Sequence, residues 1–185
     1  MSPAGPAASP LLRIMPGLFV LIWSTGYIVA KFGVPYAEPF TFLALRFIFS
    51  IAVLLAVALV TGAPWPRTWA ETGHALVSGV LIHGLYLGGV WWAIARGLPA
   101  GIAALIVGLQ PLLTALMARR MLGEAMRPAQ WLGILAGFLG VGLVLAPKLA
   151  GDALAAASLA AVAATLAATL AFTLGTFYQK RFLTG

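Results

Sequence analysis

The chain has 185 residues, 62% of them hydrophobic and only 8% charged, with a mean hydropathy of +1.04; a soluble domain is about half apolar and about a quarter charged. Eleven Lys and Arg against four Asp and Glu give a net charge of +7, but the basic residues stand singly or in pairs between oily runs, so they read as membrane topology signals rather than a nucleic-acid footprint. The absence of cysteine excludes a disulfide framework, a thiolate nucleophile and a Cys-ligated metal.

The Pro- and Ala-rich start reads as a tail over residues 1–13. A transmembrane helix needs about 20 mostly apolar residues, and six stretches qualify: Ile14 to Phe32, Pro39 to Val60, His74 to Ala95, Ala100 to Ala118, Ala129 to Ala146 and Ser158 to Tyr178. The expected fold is therefore all-α, a polytopic helical membrane protein with six transmembrane helices. The first run is longer than a signal-peptide core and lacks a cleavage-type exit. Gly or Pro breaks the helix in each short connector. With the N-terminus cytoplasmic, Arg13, Arg67, Arg119, Arg120, Arg127, Lys180 and Arg181 lie inside, and Lys31, Arg96 and Lys148 outside; the positive-inside bias thus predicts an N-in protein. An excess of Arg over Lys and abundant alanine hint at a bacterium, hence at the cell inner membrane.

Polar groups in lipid are costly and mark function or packing. Counting about 1.5 Å per residue inward from the ends places Trp23 and Thr25 near mid-depth of the first span, His83 of the third, Gln110 and Pro111 of the fourth, and Thr165 and Thr169 of the sixth. These four spans are expected to surround a common cavity, with the second and fifth outside. Pro111 has no N–H, so the carbonyl of Val107 loses its helical partner beside the Gln110 amide; this reads either as a polar binding site, since irregular backbone at that depth belongs to cavities, or as a packing kink. The candidate substrate-binding set is Trp23, Thr25, His83, Tyr86, Gln110, Pro111, Thr114 and Thr169.

His83 shares a helical face with Gly79 and Tyr86. It is the titratable group for a proton-coupled step, or a structural histidine bonded to Tyr or Thr. Arg46, about seven residues into the second span, either snorkels outward to Glu38 or binds an anionic substrate. Trp91 and Trp92 read as interface anchors, and Gly133 and Gly137 as a GxxxG close approach. "GYIVAK" at 26–31 and "GTFYQK" at 175–180 put Gly and Lys at a common offset of 149 residues; with five helices between their starts the second copy enters inverted, the arithmetic of an inverted repeat. Ser78 and His83 without a GxSG turn or an acid at depth argue against an enzyme, and no ring of like charge suggests a channel.

The run from Tyr86 to Ala146, with Pro111, Gly123, Glu124, Gly133 and Gly140 in place, resembles the EamA repeat of the drug/metabolite transporter superfamily. "LIWSTGYIVAKFG", with Trp23 and Lys31, and "LALRF", with Arg46, match as well. The resemblance implies a carrier, commonly an exporter, of small metabolites, amino acids or drug-like compounds, rocking two inverted five-helix halves around a central cavity, with neither cofactor nor metal. It assigns 14–146 to one repeat, 147–157 to a loop and 158–185 to the first helix of a second repeat. Such carriers have ten helices, so the expectation is a truncated chain or one that pairs with a second chain; the alternative class is a non-transporting packing or assembly subunit, or an inactive fragment.

Overall fold

The computed structural model describes residues 10–122, 127–149 and 159–183, and among these it is all helical. The helices are α1 (Pro10–Gly33), α2 (Pro39–Thr61), α3 (Trp69–Gly79), a π-helical stretch (Val80–Leu85), α4 (Tyr86–Ala95), α5 (Ala100–Val107), α6 (Gln110–Leu122), α7 (Pro128–Leu149) and α8 (Leu159–Phe182). Among the described residues five stretches are long and apolar enough to cross a membrane: Ile14–Gly33, Pro39–Thr61, Trp69–Ala95, Ala100–Ala118 and Leu159–Phe182. A shorter apolar helix runs over Pro128–Leu143 within α7. The chain is a multi-pass membrane protein.

The ends of these elements follow local chemistry. α1 begins at Pro10, inside the segment expected to be tail, with its missing N–H falling where a helix has no use for it. α2 is capped by Glu38, whose carboxylate accepts from Thr41 N at 2.9 Å and from Thr41 Oγ1 at 3.2 Å; the amide of Thr41 holds this carboxyl below its ordinary pKa. The third span starts at Trp69, one turn before the expected His74, because Thr68 Oγ1 accepts from Glu71 N at 3.1 Å while Glu71 accepts from Arg67 N at 2.8 Å. That exchange is a capping box shifted by one residue at its return bond. Gln130 closes the start of α7 by accepting from Arg127 N at 2.7 Å.

The core is centred on α4. Tyr86, Val90, Trp91, Ala93 and Ile94 are buried against Leu98, Ile102 and Ala103 of the following turn and α5, and against Ala161 and Ala168 of α8. α4 and α8 approach closely because both present small residues: a Cβ on Gly89 would stand 2.9 Å from Ala168 Cβ. Within α8, Thr165, Thr169 and Thr173 are fully buried, and each Oγ1 donates to the carbonyl four residues back. In contrast, only 6% of the first and second spans is buried, against 39% of the third and of α8; α1 and α2 therefore leave most of their apolar surface uncovered by the other described residues.

Candidate functional site

Two cavities flank α1. The first, about 540 Å³, lies between α1, the π-helical stretch with α4, and α8, with Arg46 added from α2; its walls include Thr25, Tyr27, His83, Tyr86, Thr176 and Gln179. The second, about 890 Å³, lies on the other side of α1 against α5 and the start of α6, with Lys31, Val107, Gly108, Gln110 and Pro111 in its walls. Both volumes suit a small organic molecule, for which pockets run from roughly 300 to 1,000 Å³. Trp23, Tyr27 and Phe172 line both.

These shared residues form an aromatic partition. The Trp23 ring lies 5.7 Å from Phe172 and 6.3 Å from Tyr86, Tyr86 lies 4.6 Å from Phe172, and the hydroxyls of Tyr27 and Tyr86 are hydrogen-bonded at 3.2 Å. Trp23 and Phe172 are themselves 149 residues apart, as are Tyr27 and Thr176, so the offset of the repeated hexapeptide pairs wall residues of α1 with wall residues of α8.

The wall of the first cavity coincides with the π-helical stretch. Tyr86 N donates to Leu81 O, five residues back, a winding frequent at functional sites. Ile82 and His83 within it and Tyr86, Leu87, Val90 and Trp91 beyond it all reach the cavity. Gly79, expected on the same face as His83 and Tyr86, precedes the stretch and is absent from the walls of both cavities. The His83 ring meets Phe47 edge-on at 6.3 Å.

In the second cavity the fourth span breaks at Gly108 and Leu109. Gly108 N donates to Ala104 O at 2.8 Å and Leu109 N to Ile106 O at 3.1 Å, while Leu112 N turns to Leu109 O at 3.0 Å. Pro111 cannot supply the N–H that Val107 would take, and the helix restarts only at Gln110. The Gln110 amide is held along its own helix: Nε2 donates to Thr114 Oγ1 at 3.2 Å, and that hydroxyl donates to Gln110 O at 2.8 Å.

The sequence candidates thus fall into three groups. Trp23, Thr25, His83 and Tyr86 line the first cavity, and Trp23, Gln110 and Pro111 the second, with Thr114 reached through Gln110. Thr169 is fully buried and bonded to Thr165 O, and lines neither cavity. Accordingly Thr169→Val is expected to leave ligand binding unchanged and to alter stability by less than about 1.5 kcal/mol, the net worth of one hydrogen bond; equilibrium binding and thermal melting check it. Glu38 is occupied by Thr41, while Arg46 turns to the first cavity. A Cβ on Gly137 would stand 3.0 Å from Leu112 Cδ1, but one on Gly133 would meet nothing within 4 Å, so only half of the GxxxG is a close approach. Gly123 and Glu124 lie outside the described residues. Tyr27, Phe172, Thr176 and Gln179 are wall residues that polarity at depth did not reveal.

Trp91 is not an interface anchor: it is 2% exposed and stacked on Phe42 at 4.8 Å, because α2 folds across it. Its neighbour Trp92 does face outward enough to carry the Arg96 guanidinium over its ring at 4.9 Å. Among the described residues no group of three or more His, Cys, Asp or Glu could hold a metal ion.

Helical spans, a proline-broken helix and two cavities flanking α1 define a polytopic membrane protein with cavities of small-molecule size. The chain belongs to the EamA-like transporter family, whose sequence profile matches residues 15–146. It is 34% identical over 133 residues to the uncharacterized inner membrane transporter YedA of Escherichia coli K12, covering 71% of this chain and 43% of that protein. It is 28% identical over 171 residues to the uncharacterized transporter YvbV of Bacillus subtilis, covering 91% and 53%. It is also 26% identical over 138 residues to a probable amino-acid metabolite efflux pump of Salmonella typhimurium, covering 75% and 44%. The chain therefore spans about half the length of the curated relatives it matches. No solved structure matches it.

Proposed function

We propose that this chain forms the substrate-binding half of an inner-membrane carrier, N-terminus cytoplasmic, that exports small metabolites such as amino acids by alternating access. The observation that supports this most is the aromatic partition: Trp23, Tyr27 and Phe172 stand between two mostly apolar cavities, each with a few polar groups, on either side of one lightly buried helix. A shift of α1 against α4 and α8 opens one cavity as it closes the other, which is what alternating access requires of a mobile element. The name of the Salmonella relative supports an amino-acid-like cargo and an outward direction. A second repeat, in the same polypeptide or in a partner chain, covers the open side of α1 in this reading. Neutral lining groups dominate, so His83 is the group left for proton coupling.

Reconstitution into proteoliposomes loaded with radiolabelled amino acids tests it. Saturable efflux is expected, and Trp23→Ala is expected to reduce it about tenfold, the equivalent of roughly 1.4 kcal/mol of lost aromatic contact. Absence of flux, or flux unchanged in Trp23→Ala, favours a packing or assembly subunit instead.

A further inference from the structure

The charge on the cavity walls is one-sided. Among the described residues, Arg46 is the one permanently charged residue in the first cavity, Lys31 the one in the second, and no Asp or Glu lines either. Glu38, the acid nearest Arg46 in sequence, is engaged with Thr41 at the cap of α2. His83 shares the first cavity and lies within electrostatic range of the Arg46 guanidinium. A guanidinium and an imidazole in one cavity with the Trp23, Tyr86 and Phe172 rings match a molecule with a carboxylate at one end and an apolar body at the other.

From this arrangement we infer that the first cavity selects organic carboxylates with an apolar or aromatic tail, the carboxylate on Arg46 with His83 as second donor, and disfavours lipophilic cations. This inference rests on the proposed carrier reading and specifies its cargo. The guanidinium fork grips two carboxylate oxygens at once, a geometry that a neutral isostere cannot use. An alkylammonium of equal size finds no counter-charge in the walls and meets the Arg46 field instead; the aromatic faces attract it through cation–π contact, and the assay below weighs the two effects directly.

Three probes of one shape separate the outcomes: 3-phenylpropionate, 3-phenylpropanol and 3-phenylpropylamine, titrated calorimetrically into the full chain in nanodiscs of neutral lipid. The acid is expected to bind at least tenfold more tightly than the alcohol, and the amine more weakly than the alcohol. Raising the salt concentration is expected to narrow the acid's advantage. Arg46→Gln is expected to bring the acid to the alcohol's affinity, and Arg46→Lys to keep part of the preference as a point charge without the fork; circular dichroism verifies that each variant is folded, and the salt series on the native chain decides should either fail to fold. Amine binding equal to or tighter than acid binding overturns the inference while leaving the carrier reading intact, as does an acid preference that survives in Arg46→Gln. No saturable binding of any probe overturns both.

Discussion

Trp91→Ala is expected to cost about 3 to 5 kcal/mol, the range for removing a large aromatic from a packed interior. For a chain of this size that corresponds to a fall of roughly 6 to 20 °C in the melting temperature. The reason is where the indole sits: 2% exposed, at the middle of α4, stacked on Phe42 with ring centres 4.8 Å apart and in the same cluster as Ile94, Leu98 and Ile102. Those neighbours are spread over α2, α4, the turn after it and α5, which cannot all move inward together, so the site collapses only partly and a cavity remains. Differential scanning fluorimetry in detergent measures the effect. Trp92→Ala is the comparison: that indole is half-buried, and its Arg96 contact at 4.9 Å is worth about 0.5 to 1 kcal/mol at an exposed site. Equal losses in the two variants would mean that Trp91 is after all an interface anchor.

Gly175→Leu is expected to loosen α8 from the third span. A Cβ on Gly175 would stand 2.6 Å from Ile82 Cγ1 and 2.9 Å from Leu81 Cβ, with the backbone nitrogen of Ile82 only 3.4 Å away. Neither close carbon is the free end of a flexible chain, so the backbone of one helix has to yield. Overpacking of this kind costs about 1 to 3 kcal/mol, occasionally more, and here it acts next to the His83 wall, so binding is expected to fall together with stability. Gly133→Ala is the control. Its Cβ meets nothing within 4 Å, and an alanine in a helix gains about 0.4 to 1 kcal/mol by restricting the unfolded chain. Thermal melting of both variants distinguishes contact from composition; a Gly175→Leu protein that melts like the native one would show that α8 is not held against the π-helical stretch.

Much of the architecture was legible from the sequence because lipid imposes a simple length rule: an apolar run either crosses or it does not. Element ends were less legible, since they depend on caps. The third span gained a turn from Thr68 and Glu71, a signal present in the letters "TWAE" but hidden in a weakly apolar stretch. Pro111 announced the break in the fourth span, yet the break falls at Gly108 and Leu109, because a proline disturbs the turn before it. Site residues split along the same line. Gln110 and His83 stood out as polar atoms in an oily run, whereas Phe172 is one apolar residue among many; only its position 149 residues after Trp23 singles it out. Trp91 was misread because sequence gives depth along a helix and not the neighbour that covers it. Thr169 was read as a wall residue on depth alone, while its small size suits it to the crowded α4–α8 seam.

The wide turn at Val80–Leu85 has a mechanical corollary. One surplus residue in the winding offsets the azimuth of everything on either side by about 100°, the angle per residue in an ordinary α-turn. Were that surplus absorbed, either α3 or α4 would have to revolve. α4 is clamped by Trp91 and the tight seam with Ala168, so the swivel belongs to α3, and its brake is the bond between His74 Nδ1 and Tyr178 Oη at 2.7 Å, backed by Phe182 stacked on the imidazole.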